Sequence, residues 1–201
     1  MSLNRQTDAR LSKWLRRVLE TPGLTALEGL DEARRVLIED SLQAVRVVAR
    51  FDGSIVDVGS GGGVPGIPLA AAFPEREVVL LESNLAKAAF LSSAAADFPN
   101  VRVVRGRAEE QELDRFGVAV AKALAPPPVA AEWCLPLVAP GGAAVLYVGP
   151  SVDVPRVARV AMELAAQLVE SPPGLLVLRK TGPTPAGFPR RPGVAAKRPL
   201  A

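Results

Sequence analysis

Apolar residues recur at helical spacing near the start of the chain. Leu11, Trp14, Leu15, Val18 and Leu19 fall at i, i+3, i+4, i+7 and i+8, and Arg10, Lys13, Arg16 and Arg17 lie mostly off that stripe. This is the pattern of an amphipathic helix. Pro22-Gly23 interrupts it, and a second helix is expected from an N-cap near Asp31 through Ala33, Val36, Leu37, Val45 and Val48. From Ser54 the pattern changes. Short apolar runs at Ile55–Val58, Glu77–Leu81, Val101–Val104, Val118–Ala121, Ala143–Val148 and Leu175–Leu178 read as strands. Between them Pro65–Ala72, Leu85–Ala96, Ala130–Leu137 and Pro155–Val169 read as helices. Alternation of this kind predicts an α/β fold with a doubly wound, mostly parallel sheet and N-terminal helices beside it. Residues 1–50 form the helical region, 51–182 the sheet domain, and 183–201 a basic, Pro-rich arm, all within one compact unit.

Charge divides the chain more sharply than its net value of +3 suggests. Residues up to Glu170 carry 18 basic and all 21 acidic side chains, whereas Arg179, Lys180, Arg190, Arg191, Lys197 and Arg198 follow with no acid among them. A basic tail suits a polyanion partner, or serves only as a solvated end. The polar stretch Met1–Lys13 has no apolar signal segment, and no uncharged run approaches a membrane span. A single cysteine, Cys134, permits no internal disulfide, so a cytoplasmic monomer is the expectation, with no membrane partner and no metal.

The candidate chemistry starts where the first strand ends, at Asp57-Val58-Gly59-Ser60-Gly61-Gly62-Gly63-Val64-Pro65-Gly66. A glycine loop between strand and helix suits a nucleotide-type ligand, although it can also be a tight turn that holds nothing. No Gly-Lys-Ser/Thr follows, which argues against a phosphate-gripping P-loop. Gly61-x-Gly63-x-x-Gly66 leaves a dinucleotide open. Glu82, at the end of the second strand, is placed to accept both ribose hydroxyls of either NAD or S-adenosylmethionine (SAM). Asp57 favours SAM: a carboxylate repels a pyrophosphate but attracts an ammonium and a sulfonium. Its other reading is a brace for the loop's N–H groups. Glu109, in Gly106-Arg107-Ala108-Glu109, can accept from an adenine amino group beside the Ala108 backbone, or simply begin a solvated helix.

Taken together these residues resemble the RsmG (GidB) family of SAM-dependent small-subunit rRNA methyltransferases. The resemblance runs through Leu24-Thr25-Ala26-Leu27, Asp40-Ser41-Leu42, the loop Asp57 to Leu69, Leu81-Glu82-Ser83, Gly106-Arg107-Ala108-Glu109 and Ala121-Lys122-Ala123. It closes with Phe188-Pro189-Arg190-Arg191-Pro192-Gly193 and Lys197-Arg198-Pro199-Leu200. It implies a Rossmann-like methyltransferase domain, SAM as cofactor, and 16S rRNA or the small ribosomal subunit as partner. The implied reaction is methylation of guanine N7 in the decoding-region loop. Implied cofactor contacts are Gly59, Val64, Ala108, Glu109 and Lys122, beside Asp57, Gly61 and Glu82 from the loop reading. The chain departs from the family pattern at Val64, where an aromatic is common, at Lys122, usually arginine, at Val148, commonly lysine, and in lacking a histidine before Asp40.

The absence of histidine fits the implied chemistry. Guanine N7 has a lone pair and no proton to lose, so in-line alignment suffices, with no general base; Lys122 is the one side chain held as a possible catalytic group. Methylation of pyrimidine C5 needs a cysteine nucleophile, and Cys134 sits in an apolar helix without an activating base. Exocyclic-amine methylases carry a polar residue and an aromatic where this chain has Ala125-Pro126-Pro127-Pro128. RNA contacts are expected from Arg190, Arg191, Lys197 and Arg198, with Phe188 stacking on a base or folding back with the arm. Arg16 and Arg17 extend this patch or form a solvated helix face, and Trp14 and Trp133 read as core residues. The alternatives are an RNA-associated SAM binder without transfer, and an NAD-dependent oxidoreductase. The latter lacks a Tyr-x-x-x-Lys pair.

Overall fold

Asn4 caps α1 (Arg5–Glu20) by accepting the Thr7 N–H at 2.8 Å, and the helix buries Leu11, Trp14, Leu15 and Val18, the expected stripe. The computed structural model describes residues 4–200; residues 1–3 and 201, at the outer ends of the expected helical region and arm, lie outside the described residues. The second helix is not the single run the pattern predicts. It is divided into α2 (Leu30–Ala33), a π-helical stretch (Arg34–Glu39), α3 (Asp40–Leu42) and α4 (Val45–Val48). Asp31 lies inside the first turn and Gly29 is the residue before it. In the wide π-helical turn the Val36 carbonyl accepts the Lys122 ammonium at 2.7 Å, a tertiary bond that competes with the regular helix ladder.

The sheet is built from β1 (Ile55–Val58), β2 (Val78–Glu82), β3 (Val101–Arg105), β4 (Phe116–Lys122), β5 (Val138–Tyr147), β6 (Ala166–Glu170) and β7 (Leu175–Lys180). Their order is β3-β2-β1-β4-β5-β7-β6, with parallel pairing from β3 to β5 and antiparallel pairing of β7 on both sides. The order reverses at β1 and β4, where an open α/β sheet leaves a crevice beyond the strands' carboxyl ends. The central strands are nearly all apolar because both faces are covered. One face packs on α1 to α4, α5 (Gly66–Ala72) and α6 (Leu85–Ala95). The other packs on α7 (Pro127–Cys134) and α8 (Val154–Glu163).

One predicted element is overturned. The helix expected from Pro155 to Val169 stops at Glu163, and Ala166–Glu170 is the edge strand β6, paired to β7 through Ala166↔Lys180 and Leu168↔Leu178. The chain reverses at Ala165, which takes a positive φ of 53°. Ala-Ala-Gln-Leu-Val has good helix formers, but pairing with β7 buries Ala166 and half-buries Leu168, and this outweighs local propensity. Smaller shifts concern boundaries: α7 starts at Pro127, a favoured first-turn residue, and Leu135–Leu137 is a separate tight turn.

The arm folds back onto the α7–α8 layer. Phe188 and Leu200 pack against that core, and α9 (Val194–Lys197) is a single turn. Its root is fixed by Lys180, whose fully buried ammonium donates to Leu135 O at 2.8 Å, Thr184 Oγ1 at 2.8 Å and Asp114 Oδ1 at 3.1 Å. Asp114 in turn accepts Thr184 N at 3.0 Å. Burial lowers the Lys180 pKa, and the Asp114 charge opposes that shift.

Candidate functional site

The glycine loop leaves β1 at the point where the sheet order reverses. Asp57 is wholly buried beneath it, with Oδ2 accepting Gly66 N at 2.9 Å while Oδ1 has no hydrogen-bond partner. Burial pushes the Asp57 carboxyl up to about 7, with the Gly66 and Ser60 hydrogen bonds pulling the other way and the Glu82 charge adding to the rise. Gly66 admits no side chain: a Cβ there would stand 2.3 Å from Leu80 Cδ2 and 2.7 Å from Asp57 Oδ2. Gly59 has φ +72°, and a Cβ there would meet Leu124 Cδ1 at 2.3 Å. From the other side, the Trp14 indole donates to Gly62 O at 2.9 Å, so α1 holds the loop directly.

Glu82 is 7 % exposed and grips the loop with both oxygens, Oε2 accepting Gly61 N at 2.9 Å and Oε1 accepting Asn84 N at 2.7 Å. Each oxygen retains a further lone pair. Beyond Glu82 a cleft of about 170 Å³ opens between Val58, Gly59, Leu81 and Ser83 on one side and Gly106, Arg107, Ala108, Glu109, Leu124 and Trp133 on the other. Of the expected cofactor residues, the structure brings Gly59, Ala108 and Glu109 to this wall. Gly61 and Glu82 do not line it, although Glu82 lies in the chain between the wall residues Leu81 and Ser83 and accepts Gly61 N, whereas Asp57 braces the loop from below. Val64 is half-buried against the α1 side of the core. Lys122 points away to the N-terminal layer, forming an ion pair with Asp40 and the bond to Val36 O. A larger cleft of about 800 Å³ lies among Arg50, Gly53, Gly117 and Gly142, at the opposite, amino-terminal edge of the sheet, and holds none of the expected residues.

The expected RNA contacts are divided. Arg190 forms a two-pronged ion pair with Glu132, Nε to Oε1 and Nη2 to Oε2, each 2.5 Å, and the Glu132 side chain is 3 % exposed. It therefore anchors the arm instead of standing open to a phosphate. Arg17 donates to Ser93 Oγ at 2.7 Å and lies over the Phe90 ring, tying α1 to α6. Phe188 is half-buried in the arm's packing. Arg16, Arg191, Lys197 and Arg198 make no side-chain ion pair among the described residues; Arg191, Lys197 and Arg198 are exposed, as is Arg16. The arm reaches the cleft through Gly193, whose N–H donates to Glu109 Oε1 at 3.1 Å.

Sequence reasoning misses Trp133, Leu124 and Ser83 on the cleft wall. Trp133 reads as core because it sits among apolar residues, yet its Nε1 is buried without a partner. An unpaired donor beside a cleft fits a ligand that offers an acceptor, which an adenosine does. Cys134 is fully buried and burial raises its thiol pKa; burial likewise raises that of Tyr147, whose hydroxyl donates to Ser41 O. No group of three or more His, Cys, Asp or Glu side chains among the described residues is placed to hold a metal, and no helix there is long and apolar enough to cross a membrane.

Comparison with known proteins adds a separate line. The family model GidB, rRNA small subunit methyltransferase G, matches residues 8–162. A Rubrobacter xylanophilus protein named ribosomal RNA small subunit methyltransferase G is 36% identical, over 86% of this chain and 76% of its own. A Thermotoga neapolitana protein of the same name is 37% identical, over 94% and 89%. Among solved structures, a T. thermophilus 16S rRNA guanine-N2 methyltransferase in complex with AdoMet and guanosine superposes with a TM-score of 0.51. It has 17% identity, covering 67% of this chain and 37% of that one, a likeness of fold.

Proposed function

The chain belongs to the GidB family of rRNA small subunit methyltransferases, and from that premise we propose that it transfers a methyl group from SAM to N7 of a guanine in 16S rRNA. The observation that carries the choice of acceptor is the lack of a histidine base and of an activated cysteine or tyrosine nucleophile. Cys134 and Tyr147 are buried with raised pKa values, histidine is absent, and Asp57 lies beneath the loop. An acceptor that must first lose a proton would have only the carboxylates Glu82 and Glu109 near the cleft, and these already accept main-chain N–H groups. Guanine N7 has none to lose.

SAM, when bound, supplies a methyl group on a positively charged sulfur, open to displacement. The chain's own residues bind and orient. Glu82, already fixed by Gly61 and Asn84, offers its free lone pairs to ribose hydroxyls. Ala108 and Glu109 offer the adenine edge a backbone and a carboxylate, one oxygen of which is engaged by Gly193. Gly59, lacking a side chain, lets the loop and Leu124 approach closely enough to form one wall. Asp57 acts indirectly, by holding Gly66 and so the start of α5. The gain in rate comes from holding acceptor, methyl carbon and sulfur in line. Incubation of small ribosomal subunits lacking the mark with labelled SAM tests this reading. One N7-methylguanine in 16S rRNA is the expected product; label at an exocyclic amine, at carbon, or nowhere overturns it.

A further inference from the structure

The cofactor cleft continues into a second, polar groove. They share Ser83, Gly106 and Arg107, and the groove, about 470 Å³, adds Asn84, Arg105 and Glu110. Arg105 and Arg107 leave the carboxyl end of β3 exposed and without an ion-pair partner among the described residues. Arg102, on the same strand, is by contrast paired with Glu77 at 2.9 Å.

The carboxylates around the groove are available but are taken by main-chain N–H groups. Glu110 Oε2 accepts Arg107 N at 3.2 Å, Glu109 Oε1 accepts Gly193 N at 3.1 Å, and Glu82 accepts Gly61 N and Asn84 N. No ion pair joins Arg105 or Arg107 to any of these carboxylates, and both side chains are exposed. The Glu109–Gly193 bond also brings the arm alongside at Gly193, two residues from exposed Arg191.

Two unpaired guanidinium forks call for an anion with several oxygens. SAM has a single carboxylate, on its methionine part, whereas Ala108 and Glu109 beside this groove are assigned to the adenine edge, so the cofactor supplies no such anion here. We infer that Arg105 and Arg107 hold backbone phosphates of the substrate RNA strand, forming with Arg191 a phosphate track along the adenosine side of the cleft. The inference rests on the rRNA reading and names the surface that grips the strand while the target base enters.

Salt dependence of binding separates phosphate contacts from incidental charge. Protein-free 16S rRNA and small ribosomal subunits are titrated with the parent protein, with Arg105→Gln, with Arg105→Gln/Arg107→Gln, and with Arg102→Gln as a paired arginine of the same strand. Removing one arginine that neutralises a phosphate should flatten the log–log salt slope by about 0.7, so the double variant should lose about 1.4 and bind roughly tenfold more weakly at moderate salt. Arg102→Gln should keep the parent slope, Arg105→Lys should restore it, and Arg105→Gln should keep the parent's SAM affinity in calorimetry. A double variant with the parent slope on both RNA forms overturns the phosphate track while leaving the methyltransferase reading intact. A parent protein that neither binds nor methylates either form overturns both.

Discussion

Arg190 and Glu132 meet in a two-pronged ion pair across 58 positions of sequence, with the carboxylate almost fully buried in α7 and the guanidinium supplied by the arm. The hydrogen bonds that Arg190 donates to Glu132 hold its pKa up, with burial acting in the opposite direction. Removing the cation alone strands a buried charge. Arg190→Ala should cost about 3 kcal/mol in urea unfolding, whereas the double variant Arg190→Met/Glu132→Leu should recover most of that loss. Equal stability of Arg190→Ala and the parent would show that the pair contributes nothing net.

Asp57 makes stability depend on pH in a definite direction. Its folded pKa, about 7, lies above the reference of 3.8, so the folded state holds the proton more tightly. The contribution is complete below about pH 4 and declines as pH rises through 7, by up to about 4 kcal/mol in total. Unfolding free energies of the parent and Asp57→Asn, compared at pH 5 and pH 8, should differ more at pH 8, where the buried carboxylate has ionised and the amide has not. A difference that is the same at both pH values would refute the assignment.

At Gly59 the demand is both conformational and steric. Gly59→Ala must hold an alanine at φ +72° and push Leu124 Cδ1 from a position 2.3 Å away. SAM affinity measured by calorimetry should fall at least tenfold. Adding Leu124→Ala removes the collision but not the backbone strain, so it should restore only part of the loss. Full restoration would mean that the φ requirement is unimportant.

Trp133 allows a test in which stability and binding part company. Its Nε1 has no partner in the structure, so Trp133→Phe removes a donor that stabilises nothing in the absence of ligand. Unfolding should be unchanged within about 0.5 kcal/mol, while the SAM dissociation constant rises about fivefold, the worth of one hydrogen bond. A stability loss without any change in affinity would return Trp133 to the role of a core residue.

Much of the fold is legible in residue order, and what is not has physical causes. The strands β1, β2 and β4 announce themselves because burial on both faces demands unbroken apolar runs, and Glu82 follows from its spacing after the glycine loop. β6 is hidden because Ala166-Gln167-Leu168 suits a helix, and the reversal before it uses an alanine where glycine is the usual signal. Lys122 is expected at the cofactor, but its partners Asp40 and Val36 come from an earlier layer whose packing no local pattern reports. Arg190 reads as a phosphate contact because a sequence shows charge without showing Glu132 buried opposite. Trp133 packs on the core as expected, but apolar neighbours in the chain do not reveal that it also borders a cleft.

The arm's anchors also set an order of events. Asp114 and Glu132 leave the ribosome well before Lys180, Thr184 and Arg190, the groups that satisfy them. Until the arm is made, the α7 side of the molecule therefore lacks the groups that satisfy these carboxylates in the fold. The arm is the keystone of this half of the molecule, for it satisfies both Glu132 on α7 and Glu109 on the cleft wall.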